Sequence, residues 1–260
     1  MRAMRDTAEA VDAADGGHEV PRGPTVARPH WDWRVQPSSV TLKLVMAVTG
    51  IVFAAYVFVH MIGNLKVYTG AEHFDAYAHW LRTLLEPLLP YEGALWIFRV
   101  VLSACLIGHV GAAVLLTRRA HRARGRFRRT GLGLRSFTAR TMLVTGLALL
   151  GFVVFHIMDL TTGTRPFASS SFTGTTVTTS HAYDNLIASF ERPGVAAFYL
   201  LAMAALGAHM AHGLWTLVND LGVTGQRARQ VGVAIGGSLA LTVMVGNMTI
   251  PIAVWTGLLS

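Results

Sequence analysis

Residues 48–61 read VTGIVFAAYVFVHM, a Thr-Gly pair followed by nine mostly apolar residues and a single histidine. Residues 144–157 read VTGLALLGFVVFHI and repeat that arrangement. Each stretch lies inside an apolar run that is long enough to cross roughly 30 Å of hydrocarbon as a helix. The two stretches therefore predict membrane-spanning helices that each bury an imidazole at the same depth.

The composition places the chain among membrane proteins. Of its 260 residues, 52% are hydrophobic and 14% are charged, and the mean hydropathy is +0.45. The arginines behind the net charge of +8 are concentrated in residues 118–135, between two apolar runs, which is typical of a cytoplasmic loop rather than of a nucleic-acid-binding surface. The single Cys105 excludes an intramolecular disulfide and a cysteine-ligated iron-sulfur cluster. Because the sequence has no C-x-x-C-H motif, any haem must be bound non-covalently.

Five apolar runs predict an all-α bundle of five transmembrane helices. They lie near residues 41–67, 94–117, 138–162, 194–219 and 229–257. The positive-inside rule places the arginine-rich loop and GQRAR (225–229) in the cytoplasm, which puts the N-terminus inside and the C-terminus outside. Residues 1–37 lack the apolar core of a signal peptide and are predicted to be a polar cytoplasmic arm, followed by the membrane domain at 38–260.

Two longer segments are predicted on the outer side of the membrane. Residues 69–93 carry apolar residues at helical spacing, which predicts a short amphipathic helix that ends before Pro87. These residues are Phe74, Tyr77, Leu81, Leu84 and Leu85. Residues 161–180 are rich in Ser and Thr and are predicted to be irregular.

The first four predicted spans repeat as a pair of helices. The first span aligns on the third, and the second on the fourth. The matches are Met46 with Met142, Thr49 with Thr145, Gly50 with Gly146, His60 with His156, Phe98 with Phe198, Leu106 with Leu206, and His109 with His209. Because matched spans run in the same direction, the alignment favours a parallel duplication of a helix pair, with the fifth span as an addition.

Histidines within the predicted spans form two layers. An ionisable side chain at membrane depth is costly and usually faces the bundle interior with a partner. At about 1.5 Å per residue, His60 and His156 lie in the outer half of the membrane, whereas His109 and His209 lie in the inner half, about 10 to 15 Å away in depth. His212 is an alternative to His209, which we favour because it keeps the repeat alignment with His109.

Two histidine pairs suit bis-imidazole ligation of haem b, which needs one neutral imidazole on each face of the porphyrin. Small residues that would admit a flat ring accompany them: Gly63, Gly108, Gly111, Gly151 and Gly213. Arg99, near the outer end of the second span, is a candidate partner for a haem propionate, or alternatively an interfacial arginine that snorkels. On the inner side, Arg118, Arg119, Arg135 and Arg140 are further candidates, although topology alone also accounts for them.

The stretches that carry these histidines resemble a known family. FVHMIGNL (58–65), GHVGAAVLL (108–116), FHIMDL (155–160) and AHMAHGLWT (208–216) are similar to the dihaem cytochrome b membrane anchors of succinate dehydrogenases and fumarate reductases. FDAYAHWLR (74–82) and AYDNLIASFERPG (182–194) also resemble that family. The likeness covers roughly residues 38–258.

The resemblance implies the membrane anchor of a succinate:quinone oxidoreductase, an enzyme of the respiratory chain and the tricarboxylic acid cycle, in the plasma membrane of a prokaryote. It implies an outer haem b on His60 and His156 and an inner one on His109 and His209, because the glycine that follows the family's last histidine matches Gly213. Electrons would pass between membrane quinone and an iron-sulfur subunit on the cytoplasmic face. That subunit would serve a flavoprotein with FAD, which holds the succinate site. No catalytic residue is therefore assigned to this chain, and a higher oligomer of the complex stays open.

The resemblance favours menaquinone over ubiquinone as the electron acceptor or donor. Quinone reduction needs hydrogen-bond donors for the developing negative charge on the quinone oxygens, and a source of protons. Candidates near the outer haem are Glu86, Tyr91 and Glu92, and candidates near the inner haem are Ser39 and Lys43.

Two alternatives remain at the level of the sequence. A cytochrome b561-like reductase also uses four histidines for two haems, but it normally has six spans. A transporter could use the histidines as a relay, with Asp159 and Asp220 as carboxylates. Both aspartates are predicted at the ends of spans, which would leave the core without the carboxylate that a relay usually needs.

Overall fold

A computed structural model describes residues 37–124, 134–220 and 222–260, without the side chains of residues 124 and 134–140. Residues 1–36 of the predicted N-terminal arm and the central part of the arginine-rich loop lie outside the described residues. So do the side chains of Arg135 and Arg140.

The described residues are mostly helical and contain no β-strand, which confirms the predicted all-α fold. The helices in chain order are α1 (Ser39–Asn64), α2 (Ala71–Arg82), α3 (Gly93–Arg124), α4 (Leu134–His156), α5 (Ala182–Phe190), α6 (Pro193–Asp220) and α7 (Gln226–Trp255). A 3-10 turn, Leu65–Thr69, continues α1, and a π-helical turn, Ile157–Thr161, continues α4.

Within the described residues, five helices are long and apolar enough to cross a membrane, as predicted. These segments are Ser39–Thr69, Gly93–Ala123, Thr141–Thr161, Pro193–Asp220 and Gln226–Trp255, with mean hydropathies between 1.6 and 2.2. Large apolar side chains such as Val48, Ile107 and Leu201 remain exposed along them, as expected of surfaces that face lipid rather than water. The chain is therefore a multi-pass membrane protein.

Local signals set where several helices begin. Ser38 caps the N-terminus of α1, since its Oγ accepts a hydrogen bond from the Thr41 N–H at 3.0 Å. Pro193 occupies the first position of α6, where its missing N–H leaves no helical hydrogen bond unmade. Gly70 separates the 3-10 turn from α2 with a φ of 95°, in the left-handed region that favours glycine.

The spans pack as two antiparallel pairs. Helix α1 packs along α3, and α4 packs along α6, while a smaller contact joins α1 to α6. Helices α1 and α4 therefore face each other across one diagonal of the four-helix arrangement, and α3 and α6 face each other across the other. This pairing agrees with the predicted duplication of a helix pair.

Helix α7 packs outside the four-helix arrangement through small residues that allow close approach of two helices. A Cβ added at Gly236 would lie 2.9 Å from the Cβ of Leu214 on α6, and one added at Gly232 would lie 2.7 Å from Val218. Asn64 Nδ2 on α1 also donates a hydrogen bond of 3.3 Å to Asn247 Oδ1 on α7. The fifth span is thus held by both α6 and α1.

Residues 65–92 and 157–192 form what we call the loop end of the bundle. Here α2 packs against α5, with the Phe74 and Tyr183 rings 6.4 Å apart and Asp75 Oδ1 accepting a hydrogen bond of 3.1 Å from the Tyr183 N–H. Helix α2 is the predicted amphipathic helix, but it ends at Arg82 because Leu85 already adopts a φ of 69°. The segment between the π-helical turn and α5 is irregular, as predicted, whereas α5 itself was not predicted as a helix.

Candidate functional site

The four matched histidines meet as two pairs inside the bundle. The ring centroids of His60 and His156 are 6.0 Å apart, with their planes at 84°. Those of His109 and His209 are 6.5 Å apart, with their planes at 57°. The outer pair joins α1 to α4 and the inner pair joins α3 to α6, so each pair bridges one diagonal. The structure thus brings together the same partners that depth and repeat alignment predicted.

The two pairs form separate layers along the bundle. Thr49 contacts His109 of the inner pair, and His60 of the outer pair lies about 16 Å further along the same helix. On α4, Thr145 contacts His209 and lies about 16 Å from His156 by the same helix geometry. The layer spacing obtained in this way is slightly larger than the predicted spacing of about 10 to 15 Å.

The threonines of the two repeated motifs, residues 48–61 and 144–157, are hydrogen-bonded to the inner histidines. Thr49 Oγ1 lies 2.9 Å from His109 Nδ1, and Thr145 Oγ1 lies 3.0 Å from His209 Nδ1. Each hydroxyl donates its proton to a backbone carbonyl four residues earlier on its own helix. Each hydroxyl must therefore accept a hydrogen bond from Nδ1–H, which leaves the lone pair of each Nε2 available for a metal.

The glycines of the same motifs make room for these rings. A Cβ added at Gly146 would lie 3.4 Å from His209 Cε1, and one added at Gly50 would lie 3.9 Å from His109 Cε1. Each Thr-Gly pair therefore serves the histidine of its antiparallel neighbour rather than the histidine that follows it on the same helix. Sequence reasoning missed this contact because the repeat alignment compares parallel spans, although the joint recurrence of Thr-Gly and His was a usable signal.

The outer histidines have aromatic and phenolic neighbours. The His60 ring stacks on Tyr56, with centroids 5.5 Å apart and planes at 11°. His156 Nδ1 lies 3.2 Å from the hydroxyl of Tyr199, which donates its proton to Asp159 Oδ2 at 3.0 Å. The hydroxyl of Tyr199 therefore accepts from His156 Nδ1–H, and Nε2 of this histidine is again available.

Asp159 corrects one expectation from the sequence. It lies at the end of the third span, as predicted, but it is buried rather than outside the core, with only 1% of the residue exposed. Its Oδ1 pairs with Arg192 at 2.5 Å, and its Oδ2 accepts from Ser189 Oγ at 2.5 Å. The core thus contains a carboxylate, but one whose charge is compensated by a guanidinium. Asp220 pairs with Lys43 at 2.8 Å and is partly exposed.

Both histidine pairs fit ligation of haem iron. An imidazole nitrogen binds a first-row metal ion at about 2 Å, so two rings on opposite sides of one iron have centroids about 6 Å apart. The observed separations are 6.0 and 6.5 Å. The hydroxyl partners at Nδ1 of His109, His209 and His156 make the kind of hydrogen bond that fixes the tautomer of a metal-binding histidine.

The predicted glycines have different roles. A Cβ added at Gly111, Gly151 or Gly213 would meet no atom within 4 Å, so α3, α4 and α6 present flat backbone surface at these positions. Gly108 is in ordinary contact with Val45. Gly63 instead packs against the ring of Tyr77, where an added Cβ would lie 2.6 Å from the phenol oxygen. The prediction that Gly63 gives room to a porphyrin is therefore not supported, because that glycine serves the contact between α1 and α2.

His212 takes no part in the inner pair. Its ring faces Trp215, with centroids 5.6 Å apart, whereas the ring of His209 faces His109 and is held by Thr145. The geometry therefore agrees with the choice of His209 over His212.

Most of the predicted polar candidates at the loop end already have hydrogen-bond partners in the protein. Glu92 accepts hydrogen bonds of 3.2 Å from both Arg82 Nε and Arg99 Nη1. Tyr91 donates to a backbone carbonyl in the Ser/Thr-rich segment at 3.1 Å, and Glu86 is exposed. Arg99, predicted to face a propionate, is thus part of an ion-pair network that holds the loop.

The candidates at the opposite end also have partners. Ser39 Oγ accepts a hydrogen bond of 3.1 Å from Arg119 Nη1, and the same guanidinium donates to the Pro37 carbonyl at 2.7 Å. Lys43 on α1 pairs with Asp220 on α6. These contacts tie the starts and ends of three spans together at one face of the bundle.

No protein-family model, curated protein or solved structure matches this chain. The paired histidines and the contacts that hold them are therefore the basis for a functional proposal.

Proposed function

We propose that this chain is the membrane-anchor cytochrome b subunit of a succinate:quinone oxidoreductase. In this proposal one haem b is held by His60 and His156, and a second by His109 and His209. The observation that carries it is the meeting of four histidines as two facing pairs, 6.0 and 6.5 Å between ring centroids. The resemblance of the four histidine-bearing stretches to the dihaem anchors of that enzyme class supports the choice of complex.

The chain's own residues would prepare each site for a flat metallocycle. Diagonally opposite helices each present one imidazole, and Thr49, Thr145 and Tyr199 accept the Nδ1 protons of three of these histidines, whose Nε2 atoms would then be free to bind iron. When bound, haem iron takes up and releases one electron at a time. The apolar spans keep bulk water from these sites.

The proposed partners follow from charge and topology. Arg118, Arg119 and Arg122 lie in the last turns of α3, and positive residues mark the cytoplasmic end of a span. We assign this end of the bundle to an iron-sulfur subunit, which in turn serves an FAD-containing flavoprotein. The proposed location is the plasma membrane of a prokaryote with the N-terminus in the cytoplasm.

Membrane quinone, with menaquinone favoured, is the proposed substrate of this subunit. Its candidate contacts lie at the two ends of the bundle, with Glu86, Tyr91 and Glu92 at the loop end, and Ser39 and Lys43 at the opposite end. Glu92 is already paired with Arg82 and Arg99, and Lys43 with Asp220. A quinone oxygen that binds at Glu92 or Lys43 would therefore share that residue with its ion-pair partner.

Purification of the tagged chain from its native membranes would test this function. We expect a flavoprotein and an iron-sulfur protein to copurify, and succinate to reduce both a b-type absorption band and added quinone. A His109→Ala variant should lose part of that band, whereas His79→Ala, which alters a histidine of α2 outside the spans, should not. A two-haem chain without these partners would favour a b561-like reductase, and a well-folded chain without haem would favour a histidine-lined transporter.

A further inference from the structure

The chains of hydrogen bonds that start at the two histidine pairs end on different acceptors. At the inner pair, His109 and His209 each donate to a threonine hydroxyl that passes its own proton to a neutral backbone carbonyl. At the outer pair, His156 donates to Tyr199, which passes its proton to the carboxylate of Asp159. The outer chain of hydrogen bonds therefore ends on a negative charge, and the inner chains do not.

The Asp159 carboxylate is buried and is held by several hydrogen bonds. Tyr199 and Ser189 donate to Oδ2, and Arg192 donates to Oδ1 at 2.5 Å. Arg192 is itself fixed by hydrogen bonds to the carbonyls of Phe167, at 2.6 Å, and Ser189, at 3.3 Å. The guanidinium pairs with Oδ1 and compensates the buried charge, whereas the phenol donates to the other carboxylate oxygen, Oδ2.

We infer that Tyr199 and Asp159 are positioning residues that lower the reduction potential of the outer haem, an inference that rests on the proposed function. The comparison is with a haem whose histidine ligand is hydrogen-bonded, through a hydroxyl, to a neutral carbonyl. A histidine that donates to a carboxylate-linked partner is a stronger base at its other nitrogen. The ferric state carries one more positive charge than the ferrous state and gains more from that basicity. Hydrogen bonds to the histidine ligands are among the factors that set haem potentials.

The test is a potentiometric titration of the purified protein, followed through the b-type absorption band. Loss of one spectral component in His156→Ala identifies the outer haem. Tyr199→Phe removes the hydrogen bond but keeps the ring, so we expect the reduction equilibrium of the outer haem to shift about tenfold toward the ferrous state, or about 59 mV. The inner haem should keep its potential, and the haem content should stay unchanged.

Two further variants separate a tuning role from a structural one. Asp159→Asn should shift the outer potential in the same direction, since it removes the charge at nearly constant shape. Tyr183→Phe is the matched control, because the hydroxyl of Tyr183 donates to the Ser260 carbonyl and not to a histidine, and it should shift neither haem.

The outcomes distinguish this inference from the proposed function. Two haems in the wild type with no shift in Tyr199→Phe, or with equal shifts of both haems, would overturn the inference and leave the two-haem assignment standing. A well-folded wild-type protein without haem would overturn both.

Discussion

Each proposed haem depends on two histidines from different helices. Because His60 and His156 face each other at 6.0 Å, we expect His60→Ala and His156→Ala to lose the same spectral component and to keep the other. Reduced-minus-oxidised spectra of the two purified variants measure this directly. Loss of different components in the two variants would break the pairing.

A neighbouring histidine offers a control within the same helix. His212 lies three residues after His209 but faces Trp215. His212→Ala should therefore retain both haem components, whereas His209→Ala should lose the inner one. If His212→Ala lost the inner component instead, the inner ligand would have to be reassigned.

The threonine that holds an inner histidine can be tested by its hydroxyl alone. Thr145→Val removes the partner of His209 Nδ1 at nearly constant volume, and loss of a hydrogen bond to a metal-binding histidine typically weakens metal affinity by about 10- to 100-fold. We expect the inner haem to dissociate more readily during purification while the outer haem stays bound. Thr145→Ser, which keeps the hydroxyl, should retain both haems, and equal haem loss in both variants would contradict this role.

At the scale of helices, the fifth span depends on close approach to α6. Gly236 packs against Leu214, whereas a Cβ added at Gly237, the next residue of α7, would meet nothing within 4 Å. Gly236→Leu overpacks the contact between the two helices and should lower the free energy of unfolding by about 1 to 3 kcal/mol. Thermal unfolding in detergent should show a lower midpoint for Gly236→Leu than for Gly237→Leu, and equal midpoints would refute the proposed packing.

Helices were predicted correctly where the sequence has a long apolar run. They were missed where residues are buried only by packing against other parts of the chain. The five spans follow directly from their hydropathy, since a membrane segment must satisfy its own backbone. Helix α5 was missed because it is only nine residues long and because two of its polar residues, Asn185 and Ser189, are buried together with its apolar ones. Asp159 lies at the end of a span, as predicted, but its burial was missed because the side chains that pair with it, Ser189, Arg192 and Tyr199, come from elsewhere in the chain.

For the whole molecule, the pairing of histidines could be derived from depth and repeat, but the groups that hold them could not. Tyr199 reaches His156 from another helix, and the Thr-Gly pairs reach across to antiparallel neighbours. Such contacts depend on which helices pack together, which the repeat alignment did not specify. The packing that decides them is α1 on α3 and α4 on α6.

The most direct test of the two-site account is the haem content of the purified chain, quantified as pyridine haemochrome per polypeptide. Two facing histidine pairs predict close to two non-covalent protohaems per chain. One haem would mean that one pair is structural, and none in well-folded protein would contradict the account.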